Sequence, residues 1–213
     1  PRGYPYEYRS NDYKETKHPI KGKRVVLNMG LWRNIVDING IDKVLNEAPK
    51  DIKLNQDHAA VTGNLATCGM NVAFVRELTP AYFFLPNFRI DGWEVYRHDD
   101  IWGGYIVKKL IDKKGELVTF GKPVVFHSRE SNQQKVLRYE HYIHILNTLF
   151  HNLVNQALEN VGKSNYDKMF MEFANNFADV LTKNKNGIPH SYYKGFSYLG
   201  KYILWWSKLF QEL

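Results

Sequence analysis

The 213-residue sequence predicts an α/β fold over about residues 1–150, followed by an α-helical extension over about residues 151–213. Before residue 135, short apolar runs typical of strands alternate with one strongly periodic helix, which is the order of elements in an α/β unit. From about Lys135 onward, the apolar residues recur instead at helical spacing over three long stretches. We therefore place a boundary between an α/β portion and a helical extension near residue 150.

Three apolar runs predict strands. Residues 24–29 form a short buried strand and residues 67–75 a second one, while residues 116–127 form a β-type run that is interrupted at the Gly-Lys-Pro of 121–123. Residues 124–126, before His127, are expected to be buried. The polar and weakly periodic stretch 41–64 is typical of a lid or binding loop, with short helical pieces around residues 44 and 45.

After the Asp99-Asp100 pair, apolar residues recur at roughly helical spacing. Asp is a favourable helix N-cap, and Gly115 after two lysines is a typical stop, so a helix is expected over about residues 100–112. Further helices are predicted to begin at 76–78, to run from about 135 to 162, to cover 166–181 and to extend from 192 to the end. The Trp205-Trp206 pair of the last helix is expected to pack back on the domain; an oligomer interface or a membrane surface are the alternatives.

Composition narrows the class of protein. The net charge is +7 and the pI about 9.3, but the lysines are scattered, which favours a solvated basic surface over a nucleic-acid-binding protein. No stretch approaches the length of a membrane span, and the start shows no signal-peptide pattern. The single Cys68 forms no internal disulfide and is expected to be a buried, inert thiol. We expect a cytoplasmic protein, peripheral to a membrane at most. Because the chain opens on Pro1, we expect a fragment, a processed product or one piece of a longer polypeptide.

The residues that could carry chemistry lie at the edges of predicted elements. Asp99 and Asp100 at a helix N-terminus and His127 at a strand end could act as general base and metal ligand. The alternatives are that one Asp caps the helix while the other is solvated, and that His127 is structural. Gly103 and Gly104 allow a close approach of either a ligand or another backbone segment. The sequence has no P-loop, dinucleotide glycine fingerprint, zinc spacing or nucleophile elbow.

Four collinear blocks resemble the reversibly glycosylated polypeptide / UDP-arabinopyranose mutase family. They are RGYPYEYR at 2–9, GLWRNIVD at 30–37, CGMNVAF at 68–74 with REL at 76–78, and RHDDIWGG at 97–104 with KP at 122–123 and HSRESN at 127–132. The resemblance covers about residues 1–150. It implies the C-terminal half of a GT-A-like glycosyltransferase fold that handles a UDP-sugar with a divalent metal, Mn²⁺ or Mg²⁺.

By this resemblance, the activity is the interconversion of the pyranose and furanose rings of UDP-arabinose, during which a protein arginine becomes reversibly glycosylated. Arg2 corresponds to that arginine, Asp99 and Asp100 to the catalytic or sugar-contacting carboxylates, and His127 to a contact of the metal or the diphosphate. Trp32 and Trp102 could pack on a sugar face, with core packing as the alternative. The residues expected to bind substrate are Arg9, Trp32, Gly69, Met70, Asn71, Arg97, Trp102, Gly103 and Arg129.

The sequence also departs from the family pattern. The N-terminal nucleotide-binding half has no counterpart here, no Asp-x-Asp triplet occurs, and Lys is more usual where Arg129 stands. Three functions therefore stay open: a UDP-sugar mutase, a glycosyltransferase acting on a glycan or protein acceptor, and a non-catalytic subunit. A basic nucleic-acid-binding domain is a more distant alternative. The expected partners are a UDP-sugar, a glycan acceptor, and a second copy or a chain that supplies the missing half.

Overall fold

The computed structural model describes residues 20–34, 38–45, 58–61, 63–95, 98–128 and 132–211. Within these residues the predicted α/β architecture is confirmed: a four-stranded mixed sheet and a two-stranded hairpin are combined with several helices. The strands are β1 (Val25–Asn34), β2 (His58–Ala60), β3 (Val72–Phe74), β4 (Phe88–Ile90), β5 (Trp93–Val95) and β6 (Leu117–His127). The helices are α1 (Gly40–Leu45), α2 (Asp99–Lys114), α3 (Gln133–Leu158), α4 (Tyr166–Lys183) and α5 (His190–Leu209), with a 3-10 helix over Arg76–Ala81.

The sheet has the order β2-β6-β1-β3, and its centre is the parallel pair of β1 and β6. β1 is longer than the predicted strand. β6 runs without a break through the predicted interruption: Gly30 pairs with Gly121 and Trp32 with Val125, so the extra residues at 122–124 form a bulge. Proline and glycine therefore mark an irregularity within the strand and not its end.

One predicted strand is confirmed only in part, and one prediction about burial is wrong. Only Val72–Phe74 of the predicted strand 67–75 pairs with the sheet, because Asn71 adopts a left-handed conformation (φ +52°) that breaks the extended run. Val124, Val125 and Phe126 were expected to be buried but are 75%, 43% and 66% exposed. Their apolar character alone does not determine whether another element covers them.

α2 is the buried centre of the fold. Ten of its residues are buried, and Gly115 ends it in the left-handed conformation (φ +85°), as predicted. The helix begins one residue earlier than expected: His98 occupies the N-cap position, so the prediction of an Asp cap is wrong, and both Asp99 and Asp100 lie in the first turn.

The three predicted C-terminal helices are confirmed as α3, α4 and α5. α3 passes through residue 150 without a break, and the helices share one hydrophobic core with α2 and the sheet; the boundary near residue 150 stays a prediction. α5 packs back on the domain, since Trp206 Nε1 donates a hydrogen bond to the Pro80 carbonyl at 2.8 Å while Trp205 stays 59% exposed. None of the described helices has the length and apolarity needed to cross a membrane.

Candidate functional site

The N-terminus of α2 lies at the carboxyl end of the parallel strands. Only Gly115 and Glu116 join α2 to β6, so the helix runs back along the sheet and its first turn reaches the end of the strands opposite the connection. In α/β proteins, ligands bind beyond the carboxyl ends of parallel strands. The first turn of α2, with Asp99 and Asp100, is therefore positioned where a site is expected.

Asp100 is fixed by the segment that precedes β3. Its Oδ2 accepts hydrogen bonds from the Gly69 backbone N–H at 2.9 Å and from the Cys68 thiol at 3.0 Å. A Cβ on Gly69 would lie 2.8 Å from a ring carbon of Phe84 and 3.2 Å from the Asp100 Cβ, so only glycine allows this approach. Cys68 is buried, as predicted, and it contacts the carboxylate that the sequence singled out.

Asn71 connects the same segment to β1 at the bulge. Its backbone carbonyl accepts from Gly30 N–H at 2.8 Å, and its side-chain amide donates to the Leu31 carbonyl at 3.1 Å. A Cβ on Gly30 would overlap the Asn71 amide. The segment 69–71, which includes Met70, therefore joins β1 to Asp100. Asn71 makes the hydrogen bonds to β1, and Gly69 makes the hydrogen bond to Asp100.

Asp99 has a different environment from Asp100. Its side chain is partly exposed and has no hydrogen bond or ion pair with any residue that the structure describes, while its backbone carbonyl accepts from Leu85 N–H at 3.4 Å. The two adjacent carboxylates thus differ: Asp100 is held by two donors, and Asp99 has no side-chain partner among the described residues. Of the alternative, the Asp cap is wrong because His98 occupies the N-cap position, whereas the partly exposed Asp99 side chain, which has no partner among the described residues, matches its solvated carboxylate.

Aromatic side chains that the sequence analysis did not single out lie beside Asp100. Tyr82 stacks on Phe74 with 4.4 Å between ring centroids and meets Phe84 edge-on at 5.4 Å; Phe74 and Phe84 are 39% and 46% exposed. Burial first, then the acidic groups of Cys68 and Asp100, raise the pKa of Tyr82 to about 12, so its hydroxyl remains a hydrogen-bond donor at neutral pH. The signal in the sequence was the aromatic run at 82–84.

The two predicted sugar-stacking tryptophans lie in the core. Trp102 is 0% exposed, stacks on Phe150 with ring centroids 4.1 Å apart and donates from Nε1 to Asn147 Oδ1 at 2.7 Å. Trp32 is 5% exposed. Gly103 is also buried, and a Cβ there would overlap the Phe83 carbonyl oxygen. For these three residues the structure shows the packing environment that was the alternative to ligand binding.

The described residues do not offer a set of metal ligands: no three His, Cys, Asp or Glu side chains among them are grouped so as to hold an ion. His127 ends β6 opposite Asn34, whose side-chain amide donates to the His127 carbonyl at 3.2 Å. A divalent metal and a role for His127 in binding it stay predictions. Arg2, Arg9, Arg97 and Arg129 lie outside the described residues.

Comparisons with known proteins cover nearly the whole chain. A family model described as "Reversibly glycosylated polypeptide" matches residues 1–209. UDP-arabinopyranose mutase 1 of Arabidopsis thaliana is 33% identical over 145 residues, which is 66% of this chain and 36% of that protein. UDP-arabinopyranose mutase 1 of Oryza sativa subsp. japonica is 31% identical, also over 66% of this chain and 36% of that protein. "Probable UDP-arabinopyranose mutase 4" of Arabidopsis thaliana is 28% identical over 85% of this chain and 47% of that protein. The chain thus spans between a third and a half of these relatives.

Proposed function

The chain belongs to the reversibly glycosylated polypeptide family, and from this premise we propose that it supplies the sugar-contacting part of an enzyme that acts on a UDP-sugar. Its mixed α/β architecture is consistent with a glycosyltransferase-like fold. Relatives matched by the chain carry the name UDP-arabinopyranose mutase, and a pyranose–furanose mutase is the reaction we propose.

One observation carries the proposal. Three blocks of the family resemblance that lie far apart in the sequence meet in the structure. Gly30 of the second block bonds to Asn71 of the third, and Cys68 and Gly69 of the third bond to Asp100 of the fourth. These blocks meet through hydrogen bonds and not through apolar packing alone, and two of the bonds converge on the partly exposed Asp100 carboxylate, which supports a site.

The geometry suggests how these side chains divide the work. A ring interconversion needs the bond between the sugar C1 and the UDP oxygen to break, and it needs one hydroxyl oxygen to lose a proton while another gains one. Asp99, which has no partner among the described residues, is suited to exchange those protons and to stabilise positive charge at C1. Tyr82 is a hydrogen-bond donor for the sugar, and the exposed face of Phe84 is suited to pack on its apolar side.

Arg2 is proposed as the arginine that holds the sugar during the reaction, on the strength of the RGYP block alone. A guanidinium nitrogen bonds to C1, UDP leaves with the electron pair of the broken bond, and the nitrogen loses a proton to a base; the reverse steps return the sugar to UDP. An intact-mass spectrum after incubation with UDP-arabinose is expected to show a pentose adduct that disappears when UDP is added. Arg2→Ala should remove the adduct, whereas the control Arg76→Ala should keep it.

The test of the reaction uses the native full-length protein, UDP-arabinopyranose and Mn²⁺, with chromatographic separation of the furanose product. Asp99→Asn is expected to lower turnover by about 10²–10⁴-fold, the usual contribution of a general acid or base. Asp179→Asn on the exposed face of α4 is the matched control and should leave turnover unchanged. Both variants should keep the thermal midpoint of the parent.

Three results would overturn this proposal. Equal turnover by Asp99→Asn and Asp179→Asn would remove the role of Asp99. Release of UDP with a new glycosidic product and no furanose would identify a glycosyltransferase instead. Failure of the full-length protein to bind any UDP-sugar would identify a non-catalytic subunit.

A further inference from the structure

A second candidate site lies between the β4–β5 hairpin and α5. There the structure has a cavity of about 600 Å³, within the range of small-molecule sites. The hairpin contributes Arg89 and Asp91, and α5 contributes His190, Lys194 and Lys201. None of these residues belongs to the Asp99–Asp100 site.

The walls of the cavity are held by specific contacts. Asp91 and Gly92 both have positive φ (54° and 79°), which gives the hairpin a tight type I′ turn. Tyr142 on α3 donates a hydrogen bond to Asp91 Oδ2 at 3.2 Å and so fixes the tip of the hairpin. At the base, Gly195 of α5 touches the fully buried Ile90 so closely that a Cβ there would overlap it. The hairpin and the helix therefore form a defined cleft.

Positive charge in the cavity exceeds negative charge. Arg89, Lys194 and Lys201 line it together with His190, whereas Asp91 is the one carboxylate among the lining residues. Arg89 pairs with Glu94 at 2.8 Å, but neither Lys194 nor Lys201 has a carboxylate within ion-pair distance in the part of the chain that the structure describes. The cations that converge on this cavity outnumber its one carboxylate, Asp91, so they repel one another, and a bound anion would relieve that repulsion.

The spacing of the lysines indicates the kind of anion. Lys194 and Lys201 are seven residues apart on one helix, which places their Cα atoms about 10 Å apart along its axis. An anion with a single charged group meets one lysine more readily than both, whereas a chain of phosphates can reach both. Lysine is a common phosphate ligand because its ammonium group is a compact point charge. We propose that this cavity binds a small molecule carrying two or more linked phosphate groups.

The proposal is tested by calorimetric titration of the full-length protein with inorganic pyrophosphate and tripolyphosphate at low ionic strength. Saturable binding at one site per chain is expected. The double variant Lys194→Gln/Lys201→Gln should weaken it about tenfold or more, as expected for losing charge-assisted hydrogen bonds. The matched control Lys163→Gln/Lys168→Gln removes the same charge from the exposed side of the protein and should bind like the parent.

Asp91→Asn should change the affinity for pyrophosphate in the opposite direction. Asn keeps the turn, since it tolerates positive φ, and its oxygen can still accept from Tyr142, but the change removes the negative charge from the cavity. Pyrophosphate should therefore bind several-fold more tightly. An absence of binding to the parent, equal weakening in both double variants, or no gain with Asp91→Asn would overturn the proposal. So would binding of heparin or a short RNA through Lys194 and Lys201 without binding of pyrophosphate, since it would identify a macromolecular polyanion. The proposed UDP-sugar site also accepts a diphosphate, so binding is assigned to this cavity by the difference between the two double variants and by the gain with Asp91→Asn. Neither comparison depends on the proposed enzyme activity.

Discussion

Replacing Gly104 by alanine tests whether α2 is packed against the segment that fixes Asp100. A Cβ on Gly104 would lie 2.7 Å from Thr67 Oγ1 and 2.8 Å from the Thr67 carbonyl carbon, and it would overlap the carbonyl oxygen. Real Cβ contacts are essentially never shorter than 3.0 Å, and the Thr67 carbonyl oxygen would be 1.9 Å away, so the segment at Thr67 must move by about 1 Å or more. The obstacle is backbone, which has no alternative rotamer, and the move carries Cys68 and Gly69 away from Asp100.

The expected free-energy change combines two opposing terms. Overpacking of this kind costs about 1–3 kcal/mol, and alanine in a helix interior gains up to about 1 kcal/mol over glycine. Because backbone atoms block the site, we expect the cost to be near the upper end and the net loss of stability to be about 1–2 kcal/mol. Gly200 of α5 is the matched control: a Cβ there would lie 3.5 Å from a ring carbon of Phe177, an ordinary contact, so Gly200→Ala should gain up to about 1 kcal/mol.

Urea-induced unfolding, followed by far-UV circular dichroism, measures both variants on the same scale. The two midpoints should move in opposite directions from the parent, with Gly104→Ala lower and Gly200→Ala equal or higher. A Gly104→Ala protein as stable as the parent would show that the contact between Thr67 and α2 is not tight. Equal losses in both variants would show that helix propensity and local packing have been assigned the wrong weights.

Three further predictions concern single side chains. Asp100→Ala leaves two donors without their acceptor and should lower the free energy of unfolding by about 1–3 kcal/mol. Asp99→Ala should change it by less than about 0.5 kcal/mol. The urea midpoints of the two variants measure this difference. Burial, and after it a neighbouring lysine, lowers the pKa of His151 to about 4. In the unfolded state this histidine has a pKa near 6.5, so between pH 6.5 and 4 it binds a proton there but not in the folded state. The free energy of unfolding should therefore fall by about 3 kcal/mol as the pH drops from 6.5 to 4. In a series of urea melts at different pH values, His151→Phe should reduce this dependence of stability on pH. Trp206→Phe loses its hydrogen bond to a backbone carbonyl and should cost about 1 kcal/mol or more, while Trp205→Phe at an exposed position should leave the thermal midpoint unchanged.

Much of the fold followed from apolar periodicity because the long helices have clear stripes and stops. α3, α4 and α5 were predicted within a few residues, and Gly115 was identified as the end of α2. The hairpin β4–β5 was missed although its Asp91-Gly92 turn is a strong local signal. The burial of Val124–Phe126 could not be predicted correctly from the run itself, since an apolar strand looks the same whether or not another element covers it.

The candidate site was predicted in part. Asp99, Asp100, Gly69 and Asn71 were named from the sequence, and the structure brings the last three together. What the sequence could not supply is the difference between the two carboxylates, because both have the same side chain and neighbouring positions. That difference depends on which chain segment packs on each face of α2, and such contacts join residues that are distant in the sequence.

The spacing of the Asp pair and the Gly pair in α2 provides that explanation. Residues four apart lie on the same face of a helix, so Asp100 is in line with Gly104 and Asp99 with Gly103. Thr67 packs on Gly104, which brings Gly69 to Asp100, while Phe83 packs on Gly103 and leads to Leu85, which bonds to the Asp99 backbone.

Each glycine thus admits a backbone segment that continues toward an aspartate one turn earlier. The segment at 67–69 presents donors to the Asp100 side chain. The segment at 83–85 meets the helix through backbone atoms and leaves the Asp99 side chain without a partner among the described residues. The two glycines buried inside the helix therefore admit the segments that give Asp99 and Asp100 their different surroundings.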